Sequence, residues 1–359
     1  MIWHRKFVGG GFVAFAFLGG LMSSATLWAE FPAPPAAQSP TGMVNIDGMF
    51  VPDIGPLPTV VPMPATNLTY KNKVELGKQL YFDGRLSRNG QVPCAFCHLP
   101  GAGFADPRQT SIGFNGLLGG RNAPTVFNAG YNSVQFWDGR AGTLEEQAIG
   151  PIHNPVEMAE QHETVVPKIR KIAGYQTQFR AVFGKDASLQ SIAEAIAAFE
   201  RTIVSRNAPF DKYVLGDAKA MDEAAVRGMA VFKGKGRCIL CHNGPNFTDN
   251  KFHNLGVPQV GPLKEDLGRY AITLQEWDKG AFKTPTLRSI SETAPYMHDG
   301  TFKTLEEAVE FLNQGGGQNP NLSPWMKPLN LSGGEKTDLI AFLQALKGEP
   351  LDIKIPKLP

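Results

Sequence analysis

Residues 94–98 read CAFCH and residues 238–242 read CILCH, so every cysteine of this 359-residue chain lies in one pattern, Cys-x-x-Cys-His. That pattern is the signature of covalent c-type haem attachment. Two cysteines on one helical turn, Cys94 and Cys97 or Cys238 and Cys241, form thioethers to the haem vinyl groups. The histidine that follows, His98 or His242, then supplies the proximal ligand to iron. Three other uses of the cysteines compete. A four-cysteine zinc site leaves both histidines unexplained, a redox dithiol needs only one pair, and disulfides across so short a spacing would staple almost nothing. The doubled motif therefore sets the architecture: two haems, each on its own segment.

The surroundings of the motifs fit this division. The helical pattern KNKVELGKQLYFDGRLS leads into the first motif and DEAAVRGMAVFKGKGR into the second, as in two copies of a small cytochrome unit. SLQSIAEAIAAFERTIVSR, and SGGEKTDLIAFLQALKG with a Ser332 cap and a Gly348 stop, read as core-facing helices. Turn-rich stretches fill the gaps. The expected fold is mainly α, two cytochrome c-like haem domains with long irregular loops and little strand. The expected boundaries are 66–205 for the first haem domain, 206–350 for the second and 351–359 for a tail.

At the N-terminus, Arg5 and Lys6 precede the apolar run from Phe7 to Leu21 and the small-residue stretch SSATLWAE. Residues 1–29 read as a secretory signal cleaved after Ala29 or Ala25, with an uncleaved membrane anchor as the alternative because Leu27 is bulky for its place. The expected location is the periplasm. A proline-rich leader, 30–65, is expected to wrap or link and not to build a core. No later stretch approaches the ~20 apolar residues of a membrane span. A formal net charge of +2 with no long basic run excludes nucleic acid as the main partner.

The segments DGRLSRNGQVPCAFCHLPGAGFADPRQTSIG, RNAPTVFNAGYNSVQFWDGRAGTLEEQAIGPIHNPVEM, GKGRCILCHNGPNFTD and FKTPTLRSISETAPYMHDGTFKTLEEAVEFL, in this order, give the chain a specific likeness. From Val74 to Gly348 it resembles the bacterial di-haem cytochrome c peroxidase and MauG family. The resemblance implies a peroxidatic haem on His98 and an electron-transfer haem on His242. It implies that Trp137 lies between them, that Gln147 and Glu157 form the polar pair above the peroxidatic iron, and that Asn122, Thr293 and Pro295 hold an inter-haem calcium. A carboxylate in a low-polarity pocket suits the proton transfer of peroxide cleavage, and His153 is a rival to Glu157 for it. The partners implied are hydrogen peroxide and a small soluble cytochrome c or cupredoxin as electron donor; a homodimer stays open.

Two departures sharpen the reading. Where peroxidases that need reductive activation carry a removable histidine ligand, this chain has Phe114, which implies a first haem open to peroxide in every oxidation state. Fourteen residues after His298, where peroxidases place a methionine and MauG-like enzymes a tyrosine, this chain has Leu312. Met297 or Met326, or else Tyr296 or His298, would then complete the second haem, unless that face is unligated. Three functions remain: a peroxidase, a MauG-like oxidase that modifies a partner protein, and a non-catalytic electron carrier.

Overall fold

The computed structural model describes residues 42–359. Residues 1–29, read above as a secretory signal, and the start of the leader lie outside the described residues. The described chain is mostly helical, with two short antiparallel strand pairs, β1 (Met43–Ile46) with β2 (Met49–Pro52) and β3 (Phe252–His253) with β4 (Phe282–Lys283). Ten helices follow in order: α1 (Lys71–Tyr81), α2 (Leu144–His153), α3 (His162–Arg170), α4 (Ala173–Phe183), α5 (Leu189–Glu200), α6 (Pro209–Val214), α7 (Glu223–Lys233), α8 (Tyr270–Thr273), α9 (Leu305–Asn313) and α10 (Gly333–Gln344). None of the described helices is long and apolar enough to cross a membrane.

Local chemistry starts these helices where it is strongest. Ser188, Thr304 and Ser332 each close a capping box with the residue three positions on, satisfying backbone N–H groups that a helix start leaves open. The Ser332 cap is as read from the sequence. The Gly348 stop is not, because α10 ends at Gln344 and leaves the glycine to a tertiary contact. There the Gly348 N–H donates to Ser289 Oγ at 3.1 Å, and a Cβ would lie 2.3 Å from Ser205 Oγ.

The two halves repeat one packing device. Helix α1 crosses α5 at Gly77, where a Cβ would lie 1.8 Å from the Ala195 carbonyl oxygen, with Phe199 four residues further along α5. Helix α7 crosses α10 at Gly228, where a Cβ would lie 1.8 Å from the Asp338 carbonyl oxygen, with Phe342 four residues on. Only glycine lets backbones approach this closely. Around the first crossing lies an apolar core drawn from residues between Leu76 and Ile203. Around the second lies another, drawn from residues between Phe210 and Leu346 together with Ile54.

Ile54 shows that the leader builds core as well as linking. It is 5% exposed, and Val44, Ile46 and Val51 of the β1–β2 hairpin pack beside it. The hairpin turns on Asp47 and Gly48, both with positive φ, the combination a two-residue turn between twisted strands requires. Asp53 pairs with Lys233 at 2.7 Å, and the Gly55 carbonyl accepts from Arg288 at 2.8 Å, so this N-terminal piece is fastened to the second half. The segment after α10 returns the other way. Leu351 and Ile353 pack on the first core, and Arg85 donates to the Pro359 carbonyl oxygen at 3.1 Å.

Candidate functional site

Both Cys-x-x-Cys-His motifs begin on a tight 3-10 turn, Cys94–Phe96 and Cys238–Leu240, in which the histidine N–H returns to the first cysteine's carbonyl. The imidazoles are oriented alike. His98 Nδ1 lies 2.9 Å from the Pro124 carbonyl oxygen and His242 Nδ1 lies 3.0 Å from that of Phe247. A donor bond at Nδ1 fixes the tautomer with a free Nε2 lone pair, the arrangement that presents histidine to a metal. Burial lowers the pKa of both rings and keeps them neutral. Tyr81 adds a bond from its hydroxyl to the His98 carbonyl oxygen at 3.1 Å.

The second motif opens on a cavity of about 500 Å³ lined by Cys238, Cys241 and His242 and by apolar side chains such as Leu287, Ile290, Val309 and Leu343. Protein interiors are otherwise close-packed, so an apolar void of this size beside an unused imidazole fits a large flat cofactor. The thiols do not fit zinc. Among the described residues, the only three groups placed to share an ion are Cys241, Asp249 and His253, and they bring together one cysteine, not four.

Above the first motif, a loop and a turn are pressed together. The Phe114 N–H donates to the Glu157 carbonyl oxygen at 2.7 Å, and at Gly113 a Cβ would lie 2.1 Å from the Val156 carbonyl oxygen. The residue at the cap position thus rides on the backbone of the residue read as the proton shuttle. The Phe114 ring is half-buried and lies 6.0 Å from the Arg88 guanidinium. Glu157 receives a hydrogen bond from Asn154 Nδ2 on Oε1 at 2.7 Å, and desolvation raises its pKa against the opposing pull of Arg140 and Asn154. The Phe114 loop reaches the first motif, where Cys97 Sγ lies 3.8 Å from the Ile112 carbonyl oxygen, and the Glu157 charge is felt at Cys94 and Cys97.

The remaining sequence-predicted residues are placed less evenly. Gln147 is half-buried on α2, whose end leads into the Glu157 turn, and its side chain bonds to none of the described residues. His153 is exposed, its ring 5.0 Å from that of His162, whereas Glu157 is desolvated. Trp137 joins the two halves: its Nε1 donates to the Asn122 carbonyl oxygen at 2.9 Å, and its own carbonyl accepts from the Lys283 N–H at 2.7 Å. Asn122, Thr293 and Pro295 line the cavity with Trp137. The Asn122 amide donates to the carbonyls of Asp106 and Arg108, and its Oδ1 and the carbonyl oxygens of Thr293 and Pro295 accept no hydrogen bond from the described residues. Leu312, Tyr296, Met297, His298 and Met326 all line the same cavity. Tyr296 donates its hydroxyl to the Ile290 carbonyl oxygen at 3.1 Å, and burial pushes its pKa up to about 12. His298 stacks on Phe282 at 3.6 Å and leaves its buried Nε2 without a partner.

Sequence reasoning missed Glu200, the last residue of α5. It is buried, its Oε2 meets no donor among the described residues, and desolvation pushes its pKa up to about 8 against the pull of Arg201. The folded state therefore holds a proton that the unfolded state releases near its ordinary value of 4.5, so stability falls as pH rises from there to about 8. The expected slope is on the order of 1 kcal/mol per pH unit in that window, and Glu200→Gln should flatten it. Thermal unfolding midpoints at a series of pH values check this, and parallel curves for the two proteins would overturn it.

Comparison with known proteins agrees with this geometry. A family model described as di-haem cytochrome c peroxidase matches residues 71–219. The chain is 41% identical to the methylamine utilization protein MauG of Methylorubrum extorquens over 304 residues, 84% of this chain and 86% of the relative. It is 40% identical to the cytochrome c551 peroxidase of Nitrosomonas europaea, over 84% of this chain and 87% of the relative. Among solved structures it is similar to a MauG-like protein associated with microbial copper homeostasis, with a TM-score of 0.75 and 32% identity over 82% of this chain and 95% of that one.

Proposed function

We take as premise that this chain belongs to the di-haem cytochrome c peroxidase family, an oxidoreductase of the peroxidase type with two haem c groups, and propose that it reduces hydrogen peroxide to water at the His98 haem. In this reading residues 66–205 form the peroxidatic domain and 206–350 the electron-transfer domain, each with its own apolar core. The chain is exported to the periplasm by residues 1–29. Haem iron on His98 supplies the centre at which the O–O bond breaks, as two electrons and two protons convert one peroxide into two waters. Glu157 takes the proton from the near oxygen and returns it to the far one. Asn154 holds its Oε1 so that the carboxylate turns one oxygen toward the substrate, and Gln147, free of other partners, orients the peroxide.

Electrons enter through the His242 haem and pass by Trp137. Met326 or Met297 is proposed as the sulfur ligand on its far side, and Asn122 Oδ1 with the Thr293 and Pro295 carbonyls as the calcium site, an oxygen set that suits a hard cation. The donor, a small cytochrome c or cupredoxin, docks at the rim of the cavity beside the second motif. There Asn321 fastens the Glu276 carbonyl at 2.9 Å and leaves Trp277 74% and Trp325 38% exposed. Exposed tryptophans suit a small, transient redox interface.

The observation that carries this reading is the desolvated Glu157 beside the first attachment turn, under a loop whose cap position is phenylalanine. A MauG-like oxidation of a partner protein is the second reading, favoured by the same Phe114. Mixing the fully oxidised protein with peroxide tests the open site. Rapid reaction and a high-spin first haem are expected, and Phe114→His should convert that haem to low spin and slow the reaction at least about tenfold. A wild-type first haem that is low-spin and unreactive until reduced would sink the reading. Turnover with reduced cytochrome c separates peroxidase from oxidase.

A further inference from the structure

The cavity that holds Cys238, Cys241 and His242 also holds a cation without a counter-ion. Lys283 closes strand β4 with its side chain buried on the cavity wall, and its Nζ donates only to the carbonyl of its neighbour Thr284, at 3.3 Å. Among the described residues no carboxylate pairs with it. Asp249 is the anion whose charge reaches it, but that carboxylate is held by His253 Nε2 and by the Lys251 N–H, each at 2.9 Å. The neighbouring cations are matched: buried Arg288 by Asp211 at 3.0 Å, and half-buried Arg121 by Asp138 at 2.7 Å and Asp266 at 2.6 Å.

A buried ammonium is costly unless an anion pairs with it, and burial pulls the Lys283 pKa down to about 8. A lysine kept in this position on an apolar wall therefore implies an anion brought by whatever fills the cavity. Haem attached through its vinyl groups to Cys238 and Cys241 keeps two carboxylates free, its propionates, and has no other anionic group. We propose that Lys283 is the propionate clamp of the second haem, and that its charge raises the reduction potential of that haem. The proposal rests on the placement of the second haem at His242. Because the Lys283 N–H also donates to the Trp137 carbonyl, the clamp fastens the cofactor's acidic edge to the strand that holds the inter-half tryptophan.

The test is a spectroelectrochemical titration of the holoprotein that resolves the two haems. In Lys283→Met, loss of the positive charge should favour oxidised iron and shift the reduction equilibrium of the second haem at least tenfold, about 59 mV downward for a one-electron couple. Lys283→Arg should restore most of that shift, and the first haem should not move. An unchanged second-haem potential, or equal shifts at both haems, overturns the proposal. A crystal structure of the wild-type holoprotein decides the matter without a variant: Nζ within hydrogen-bond reach of a propionate oxygen supports the clamp, and Nζ paired with Asp249 overturns it. The pyridine haemochrome content of a Cys238→Ser, Cys241→Ser protein tests the placement itself. If haem content does not fall there, the placement itself fails and the clamp falls with it, whereas a normal fall with an unchanged potential in Lys283→Met overturns the clamp alone.

Discussion

Glu157→Gln slows the reaction of the oxidised protein with peroxide by about 10²–10⁴-fold, the range expected when a positioned acid–base group is removed. The substitution is conservative in shape. Asn154 Nδ2 donates to Oε1 in the native protein and can do the same to the glutamine oxygen, so the turn and the Phe114 loop resting on it keep their places. What is lost is the ability to accept and return a proton. Desolvation raises the Glu157 pKa, and the deprotonated form is the working base, so the native rate should climb with pH through a value above the ordinary carboxylate range. That acid limb should disappear in the variant. Stopped-flow rates across pH measure both effects. A variant within threefold of the native protein, with the limb intact, would move the proton transfer to another group.

Gly228→Val should prevent the second half from assembling, and Gly228→Ala should cost at least about 1–3 kcal/mol, the usual penalty for forcing a methyl group into a filled space. A Cβ here would lie 1.8 Å from a backbone carbonyl oxygen and 2.9 Å from the Phe342 Cβ, so no side-chain rotation relieves the clash and α7 must move off α10. That movement opens the cluster of Phe210, Phe232, Phe247 and Phe342, whose ring centroids stand 5.2 to 6.3 Å apart. Gly77 stands in the same relation to α5 and predicts the same loss in the first half. Gly334, with nothing within 4 Å of its added Cβ, is the control, and alanine there should be neutral or stabilising by up to about 1 kcal/mol. Denaturant unfolding followed by far-ultraviolet circular dichroism gives the midpoints; an unshifted Gly228→Ala would mean that the helix crossing is looser than described.

What could be read from the sequence was what short-range chemistry writes there. The two attachment motifs, the helices leading into them and the Ser332 cap depend on residues a few positions apart. The Asp47-Gly48 turn between alternating apolar residues is equally local, but it stands inside a proline-rich stretch whose composition speaks for a linker. Phe114 was found through a family pattern, and its backbone bond to Glu157 gives that position a physical footing. Glu200 and Lys283 gave no signal, since a carboxylate at a helix end and a lysine in a short strand are ordinary on a surface. Only the tertiary fold buries them. The paired glycines were visible as letters, but their meaning depends on α5 and α10, more than a hundred residues away in each case.

The leader hairpin and the segment after α10 exchange places: residues 43–55 complete the second core, and Leu351 and Ile353 cover the first. A cut at residue 205 would therefore yield no self-sufficient piece, each fragment missing a patch carried by the other. During synthesis the order is awkward too. The hairpin leaves the ribosome before the first half exists and must wait, unpartnered, until the second half has followed it. Maturation of the second haem centre is thus tied to the whole chain and not to the segment that bears its cysteines.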